Sequence, residues 1–361
     1  MKPKTPIPCT SNHAAEDSAS TAPGSSRDPG QKAMTRVAHL VGPGVLRVRN
    51  GMPSWEPLDG PPLQLHPERL ETLVIHGHAD MTAAALKLLW RHGVQLSFLD
   101  PKGNRLLGRV SPPPDNAPTL AYCQHWAIRH SAFILAQSRL LVTLRIQSIQ
   151  RTVQSFKRYD NPELRALPAE LDRQLRNAQS ADSLPTLRGY EGIASARWHA
   201  MMRLLFPPSL PYPGRVHHPP TDPVNALLSL GYTLLLTRVQ ATISAIGLDP
   251  LFGFYHQSRP GRPALTCDLM EPFRTPLVDK LVIAEVRKGC YQTHHFFSGP
   301  DGYRLHKDQF RRFVRTFEQR YSETNSGERA SFESQVRELV NQFASAVRTW
   351  AANHPAPDLG L

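Results

Sequence analysis

The spacing of apolar residues changes character partway along the chain. From Thr35 to Val110, short runs rich in Val, Ile and Leu alternate with turn residues. Residues 37–41, 45–48, 70–75, 94–99 and 105–110 predict strands, because such runs bounded by glycine and proline suit a half-buried pleated surface. Gly42-Pro43-Gly44, Asn50-Gly51 and Pro101-Lys102-Gly103-Asn104 punctuate them. The last of these predicts a hairpin-like link. One helix is expected among the strands, over residues 82–92, with Ala84, Ala85, Leu88 and Leu89 on its apolar face.

Ser111-Pro112-Pro113-Pro114-Asp115 is a stiff linker and the best domain boundary in the chain. Beyond it the apolar period lengthens from about two towards about 3.6 residues. Residues 120–159 predict one long helix. Phe133, Ala136, Leu140 and Leu144 share a face of it, and Arg139, Arg145, Arg151, Lys157 and Arg158 decorate it. Further helices are expected over residues 162–178, 190–205, 223–246, 276–290, 307–321 and 329–352. The fold class is therefore α+β. A small N-terminal β domain (35–110) and a proline linker (111–117) precede a larger, all-α-helical C-terminal catalytic domain (118–355). Residues 1–34 are rich in Pro, Ser, Ala and Gly and cannot bury enough surface to offset ordering entropy, so a disordered tail is expected there.

Charge gives this frame a direction. Lys and Arg number 42 against 30 Asp and Glu, a net charge of +12, with a pI of about 9.8. An acidic partner follows, and nucleic acid is the commonest one for a basic globular protein. Unbroken apolar runs such as 83–86 and 234–236 fall far short of the roughly 20 residues a membrane helix needs, so no membrane partner is expected. The N-terminus lacks the apolar stretch of roughly 7–15 residues that a signal peptide requires, which makes cytoplasm the expected location. Cys9, Cys123, Cys267 and Cys290 form no C-x-x-C pair, so reduced thiols are expected rather than a zinc ribbon or a disulfide framework.

Candidate chemistry concentrates in residues 247–274, GLDPLFGFYHQSRPGRPALTCDLMEPFR. His256 follows an apolar turn, and Asp268 and Glu271 come shortly after. A third acid, Glu191, lies one helical step before the stripe Ala194, Trp198, Met201 or Met202, and Leu205, at the N-terminal end of the expected helix. Each residue has a plain alternative. Glu191 can simply favour a helix dipole. His256 can be a hydrogen-bonded core histidine. Asp268 and Glu271 can form a capping box, with Asp268 as the N-cap. Taken together, two or three carboxylates and an imidazole suit Mg2+ or Mn2+, and such an ion polarises a phosphodiester. Arg259, Arg262 and Arg274 are candidate phosphate contacts.

The segments EGIASARW (191–198), HPPTDPVNALLSLGYTLL (218–235), GLDPLFGFYH (247–256) and ALTCDLMEPFR (264–274) resemble, in this order, the CRISPR adaptation integrases. These are the metal-dependent CRISPR-associated endonucleases of spacer acquisition. IHGHADMTAAALKLLWRHGVQLSFLDPKGNRLLGRV (75–110) fits the same family, and the resemblance spans about residues 35–352. It implies that Glu191, His256 and Glu271 bind a divalent metal, with Asp268 a further active-site carboxylate. It implies a homodimer that flanks a dimer of the small second adaptation protein. Asn225 and Tyr232 are expected to serve packing or interior hydrogen bonding.

The implied reaction is transesterification. The 3′-hydroxyl of a short DNA duplex attacks a phosphodiester at the border of a repeat, and a second attack joins the other strand. Two other classes remain open: a stand-alone nuclease or recombinase acting on branched DNA, and a non-enzymatic DNA-binding scaffold in which the same residues only pack and cap.

Overall fold

The computed structural model describes residues 37–103, 105–111, 117–156, 162–216, 219–256, 259, 262–324 and 330–355. The expected tail and most of the expected proline linker lie outside these residues. The chain divides into two compact units. One comprises residues up to 101, 107–113 and those from 351; the other comprises 102–106 and 114–350.

The first unit holds strands β1 (Val37–Val41), β2 (Gly44–Arg49), β3 (Met52–Pro57), β4 (Leu63–Gln64), β5 (Thr72–His76) and β6 (Ala79–Met81). Helix α1 (Ala83–Arg91), β7 (Gln95–Leu99) and β8 (Leu106–Val110) follow. One sheet has the order β1-β5-β7-β8 and the other β4-β3-β2-β6. In the first, β5 runs parallel to both β1 and β7, with Thr72 opposite Val37 and Gln95. Leu40, Leu46, Trp55, Leu73, Ile75, Leu89 and Leu96, drawn from both sheets and α1, form the unit's core. The β2–β3 hairpin turns on Asn50 (φ 51°) and Gly51 (φ 75°), the pair of positive φ values that a tight primed turn requires. Strand β3 was not expected, because Met52-Pro53-Ser54-Trp55-Glu56-Pro57 carries two prolines and no aliphatic run. Its turn and the burial of Trp55 hold it in the sheet. Thr82 caps α1 by accepting from the Ala85 amide at 3.3 Å.

The second unit is built from helices α2 (Ala117–Ala127), α3 (Ser131–Ser155), α4 (Pro162–Ser180), α5 (Leu184–Leu205), α6 (Pro223–Ile246), α7 (Ala264–Phe273), α8 (Lys280–Arg287), α9 (Lys307–Ser322) and α10 (Phe332–Asn353). A π-helical stretch, Arg274–Asp279, joins α7 to α8. The expected single helix over 120–159 is broken. His130 adopts extended angles (φ −99°, ψ 118°) between α2 and α3, and residues 157–159 lie outside the described ones. The buried face of α3 is also rotated from the expected stripe. Leu141, Val142, Arg145, Ile146, Ile149 and Val153 are buried, while Leu140 is 45% exposed. Apolar residues sit at 140, 141, 142 and 144, so the sequence alone leaves the phase undecided.

The unit is not wholly helical either. Strands β9 (Phe296–Gly299) and β10 (Gly302–Leu305) form an antiparallel hairpin, with Gly302 at φ 81°. Among the described residues, Cys267 and Cys290 are free thiols, as expected.

Helix α6 has the expected bounds. The Asp222 side chain accepts from the Asn225 amide at 2.8 Å, Pro223 opens the helix, and Gly247 closes it at φ 91°. By length and composition α6 could cross a membrane, which run lengths alone did not disclose; yet 83% of its apolar window is buried inside the protein. The helical unit is assembled around it. Gly231 lets the π stretch approach closely, since a Cβ there would stand 2.6 Å from Val278 Cγ1. Gly231→Ala gains about 1 kcal/mol of helix propensity but forces overpacking worth about 1–3 kcal/mol. The expected outcome is a lower melting temperature, read by thermal circular dichroism. An unchanged or higher value would mean that the helices move apart freely.

Candidate active site

One buried carboxylate organises the backbone around His256. Asp268 lies on α7 and is completely buried. Its Oδ2 accepts from the amides of Phe254 at 2.7 Å and Tyr255 at 3.0 Å. Its Oδ1 accepts from the His256 amide at 2.9 Å and from His256 Nδ1 at 2.6 Å. Four donors thus converge on two oxygens. Gly253 makes room for this turn, because a Cβ there would lie 2.5 Å from Asp268 Oδ2 and 2.7 Å from the Ala264 carbonyl carbon. With Nδ1 donating to a carboxylate, the His256 ring carries its lone pair on Nε2.

This geometry overturns the capping-box alternative. Helix α7 begins at Ala264, so Asp268 sits inside it and its side chain bonds the 254–256 segment rather than its own first turn. The helix-dipole alternative for Glu191 fails for a similar reason. Ser183 accepts from the Thr186 amide, which starts α5 at Leu184, earlier than expected. Glu191 therefore lies beyond the first turn, where the dipole effect has faded. It continues the buried stripe Leu187, Ala194, Trp198, Met201, Met202 and Leu205, and is itself half-buried.

Glu271 is held by two guanidinium groups. Arg274 Nη1 donates to its Oε1 at 2.9 Å, and Arg145 Nε lies 3.5 Å from its Oε2. Arg145 also donates to the Glu271 carbonyl at 3.3 Å and to Thr275 Oγ1 at 2.6 Å. Burial raises the Glu271 pKa, but the pull of Arg274, then Arg145 and His256, outweighs it and leaves the carboxyl below its ordinary value. The sequence placed Arg145 among surface arginines; it is 2% exposed. A polar residue at a core position of a helix was the available signal.

Glu191, Glu271 and Asp268 all act on Tyr255. Burial, then Glu191, raises the pKa of its phenol; Glu271 and Asp268 add to the rise, and Arg188 opposes it. Arg188, one turn before Glu191, donates to the Tyr255 carbonyl at 2.7 Å and so ties α5 to the histidine segment. The Tyr255 hydroxyl is buried and has no hydrogen-bond partner among the described residues.

The three expected ligands share this neighbourhood without being gathered into a cage. Among the described residues, no group of three or more His, Cys, Asp or Glu is placed to hold an ion. Glu191 Oε1 accepts the Ser195 hydroxyl at 2.7 Å, and Glu271 is turned to its arginines.

The arginines named from sequence separate into two kinds. Arg259 is exposed and Arg262 half-buried; they face each other across an isolated bridge, with the Arg262 amide bonding the Arg259 carbonyl at 3.0 Å. Arg274 is half-buried, paired with Glu271 and stacked 4.4 Å from the Tyr232 ring centre, so part of its guanidinium is already engaged. Asn225 and Tyr232 are interior groups. Asn225 bonds Gly214, Asp222, Arg215 and Val216, and Tyr232 bonds Asp279.

Fold and site together define a two-unit α+β protein whose helical part carries a histidine oriented by a buried aspartate, with a buried glutamate, on the same helix as that aspartate, paired to arginines. The family described as CRISPR associated protein Cas1 matches residues 40–319, and the chain belongs to it. A Thermus thermophilus protein named CRISPR-associated endonuclease Cas1 1 is 34% identical over 288 residues, covering 79% of this chain and 86% of that one. A Cas1 protein from Thermotoga maritima shares the fold with a TM-score of 0.76 at 22% identity, over 86% of this chain and 96% of that one. A casposase bound to an integration product does so with a TM-score of 0.74 at 20% identity, over 87% and 91%.

The environment of Glu271 has a signed consequence. Its folded pKa lies below the ordinary 4.5. The stability it contributes is therefore complete above about pH 4.5 and is lost as pH falls through the lower folded value. The melting-temperature gap between the wild type and Glu271→Gln is expected to be widest above about pH 5 and to narrow towards about pH 3. A gap independent of pH would show that the arginines do not favour the ionised form.

Proposed function

We propose that the chain is a divalent-metal-dependent DNA integrase and endonuclease that inserts short duplex DNA into a CRISPR repeat array by transesterification. The observation that carries this reading is the His256–Asp268 pair. A buried carboxylate that fixes an imidazole tautomer and leaves the Nε2 lone pair available is the usual support of a metal-binding histidine. Membership in the Cas1 family, with curated relatives named endonucleases, supplies the reaction class.

The donor set suits Mg2+ or Mn2+. Glu191 and Glu271 offer hard oxygens and His256 a nitrogen. The unpartnered Tyr255 hydroxyl agrees with this, because a buried donor beside such a centre calls for a ligand-borne acceptor. An ion bound there supplies Lewis acidity towards the scissile phosphodiester and its leaving oxygen. The remaining work belongs to the protein. Asp268 orients His256 and withholds its own oxygens from solvent. Glu191 presents its carboxylate from α5, and Glu271 from α7. Arg145 and Arg274 keep Glu271 ionised in a buried setting. The net charge of +12 provides the attraction for duplex phosphates, with Arg259 and Arg262 the candidates nearest the site. Exchange of one phosphodiester for another needs no nucleotide triphosphate for the chemical step. The assembly proposed is a homodimer working with the small second adaptation protein on double-stranded DNA.

An integration assay with that partner protein, a repeat-bearing plasmid and Mn2+ tests the reading. His256→Ala is expected to abolish joining while duplex binding persists, and Asp268→Asn to weaken metal affinity by about 10–100-fold. Binding of duplex should fall with salt at a slope near −0.9 per neutralised phosphate. Normal joining by the His256→Ala protein would refute the site. Cleavage of branched DNA without any joining would favour a stand-alone nuclease, and duplex binding indifferent to chelator without cleavage would favour a scaffold.

A further inference from the structure

Beneath the site lies a second buried carboxylate that the reaction itself does not use. Asp279 ends the π-helical stretch and is completely buried. Its Oδ2 accepts from Trp198 Nε1 at 2.8 Å and Thr275 Oγ1 at 3.1 Å, and its Oδ1 accepts from the Tyr232 hydroxyl. These donors come from three elements. Trp198 is on α5, the helix of Glu191. Tyr232 is on the central α6. Thr275 is in the π stretch that continues the helix of Glu271.

Each donor leads on to something that holds Glu271. Thr275 donates its proton to Asp279, so its oxygen is left to accept from Arg145 Nη1 at 2.6 Å, and the direction of that chain is fixed. The Tyr232 ring, anchored by its hydroxyl, carries the Arg274 guanidinium 4.4 Å from its centre. Both guanidinium groups that grip Glu271 are therefore backed by residues that end on Asp279. Arg145 and Arg274 thus stand between two buried carboxylates, Glu271 and Asp279, while Arg215 lies 5.2 Å from the same Tyr232 ring centre.

We propose that Asp279 is a positioning residue for the metal centre, setting where the Glu271 carboxylate stands and how strongly the two arginines compete for it. Without the Asp279 charge, Arg145 and Arg274 have one buried anion to share. They then bear harder on Glu271 and hold it back from a cation. Asp279 also locks α5 to the π stretch, which fixes the spacing between the helices of Glu191 and Glu271. This inference rests on the ligand assignment proposed above.

The test measures Mn2+ binding to the full-length protein by titration calorimetry and by the electron paramagnetic resonance signal of free Mn2+, with melting temperatures recorded in parallel. Asp279→Asn keeps the shape and removes the charge; it is expected to raise the Mn2+ dissociation constant by about tenfold. Thr275→Val cuts the link to Arg145, leaves Asp279 charged, and is expected to move affinity in the same direction by a smaller factor. Should Asp279→Asn fail to fold, Thr275→Val decides alone. Wild-type affinity in the folded variants, with only the melting temperature lowered, would reduce Asp279 to a structural group and overturn the proposal. Glu271→Gln separates the two levels. If it abolishes binding while the Asp279 and Thr275 variants bind normally, only this inference fails. If Glu271→Gln binds like the wild type, or the wild type does not bind Mn2+, the ligand assignment fails and the inference falls with it.

Discussion

A carboxylate sealed from water and met by four hydrogen-bond donors is the constraint on which the helical unit's chemistry depends. Removing a charge from solvent costs several kcal/mol unless its lone pairs are fully engaged. Asp268 meets that demand by drawing the 254–256 backbone over the start of α7. The segment then has little freedom in where it places His256. Histidine orientation here is a by-product of satisfying a buried anion, which explains why a glycine with no room for a Cβ precedes it at position 253.

The remaining charges follow the same economy. Glu271 lies in a buried setting because Arg145 and Arg274 accompany it, and those arginines are tolerable there because Asp279 and the Tyr232 ring accompany them. Breaking one member of such a set leaves another uncompensated, which is why losses are larger than any single contact suggests. Proline at 272 denies one backbone donor inside α7, and the π stretch that follows places Thr275 and Asp279 towards α6 and α5.

Much of this was legible in the residues. Strong local signals carried some elements of each unit: β1 and α6 have the expected bounds, and Asn50-Gly51 marked a true hairpin. The stripe below Glu191 also stood as read. What stayed hidden was set by partners distant in the chain. Arg145 looks like surface decoration until a glutamate on another helix claims it. Asp268-x-x-Glu271 looks like a cap because spacing alone cannot tell which backbone the aspartate will bond. Strand β3 and the β9–β10 hairpin lack aliphatic runs and persist through pairing.

Helix α6 carries a further implication for how the protein is made. Most of its residues are buried, and the elements packed most closely on it (α7, the π stretch, α8, β10 and α9) all follow it in the chain. While the ribosome is still adding the residues that follow it, this long apolar segment lacks those partners. That interval exposes it to chaperones, to insertion machinery and to self-association at once. Polar groups along the helix, among them Asn225, Thr233, Thr237, Arg238 and Gln240, raise the cost of leaving water for lipid. They therefore weigh against transfer into lipid during synthesis as well as serving as polar groups in the finished fold.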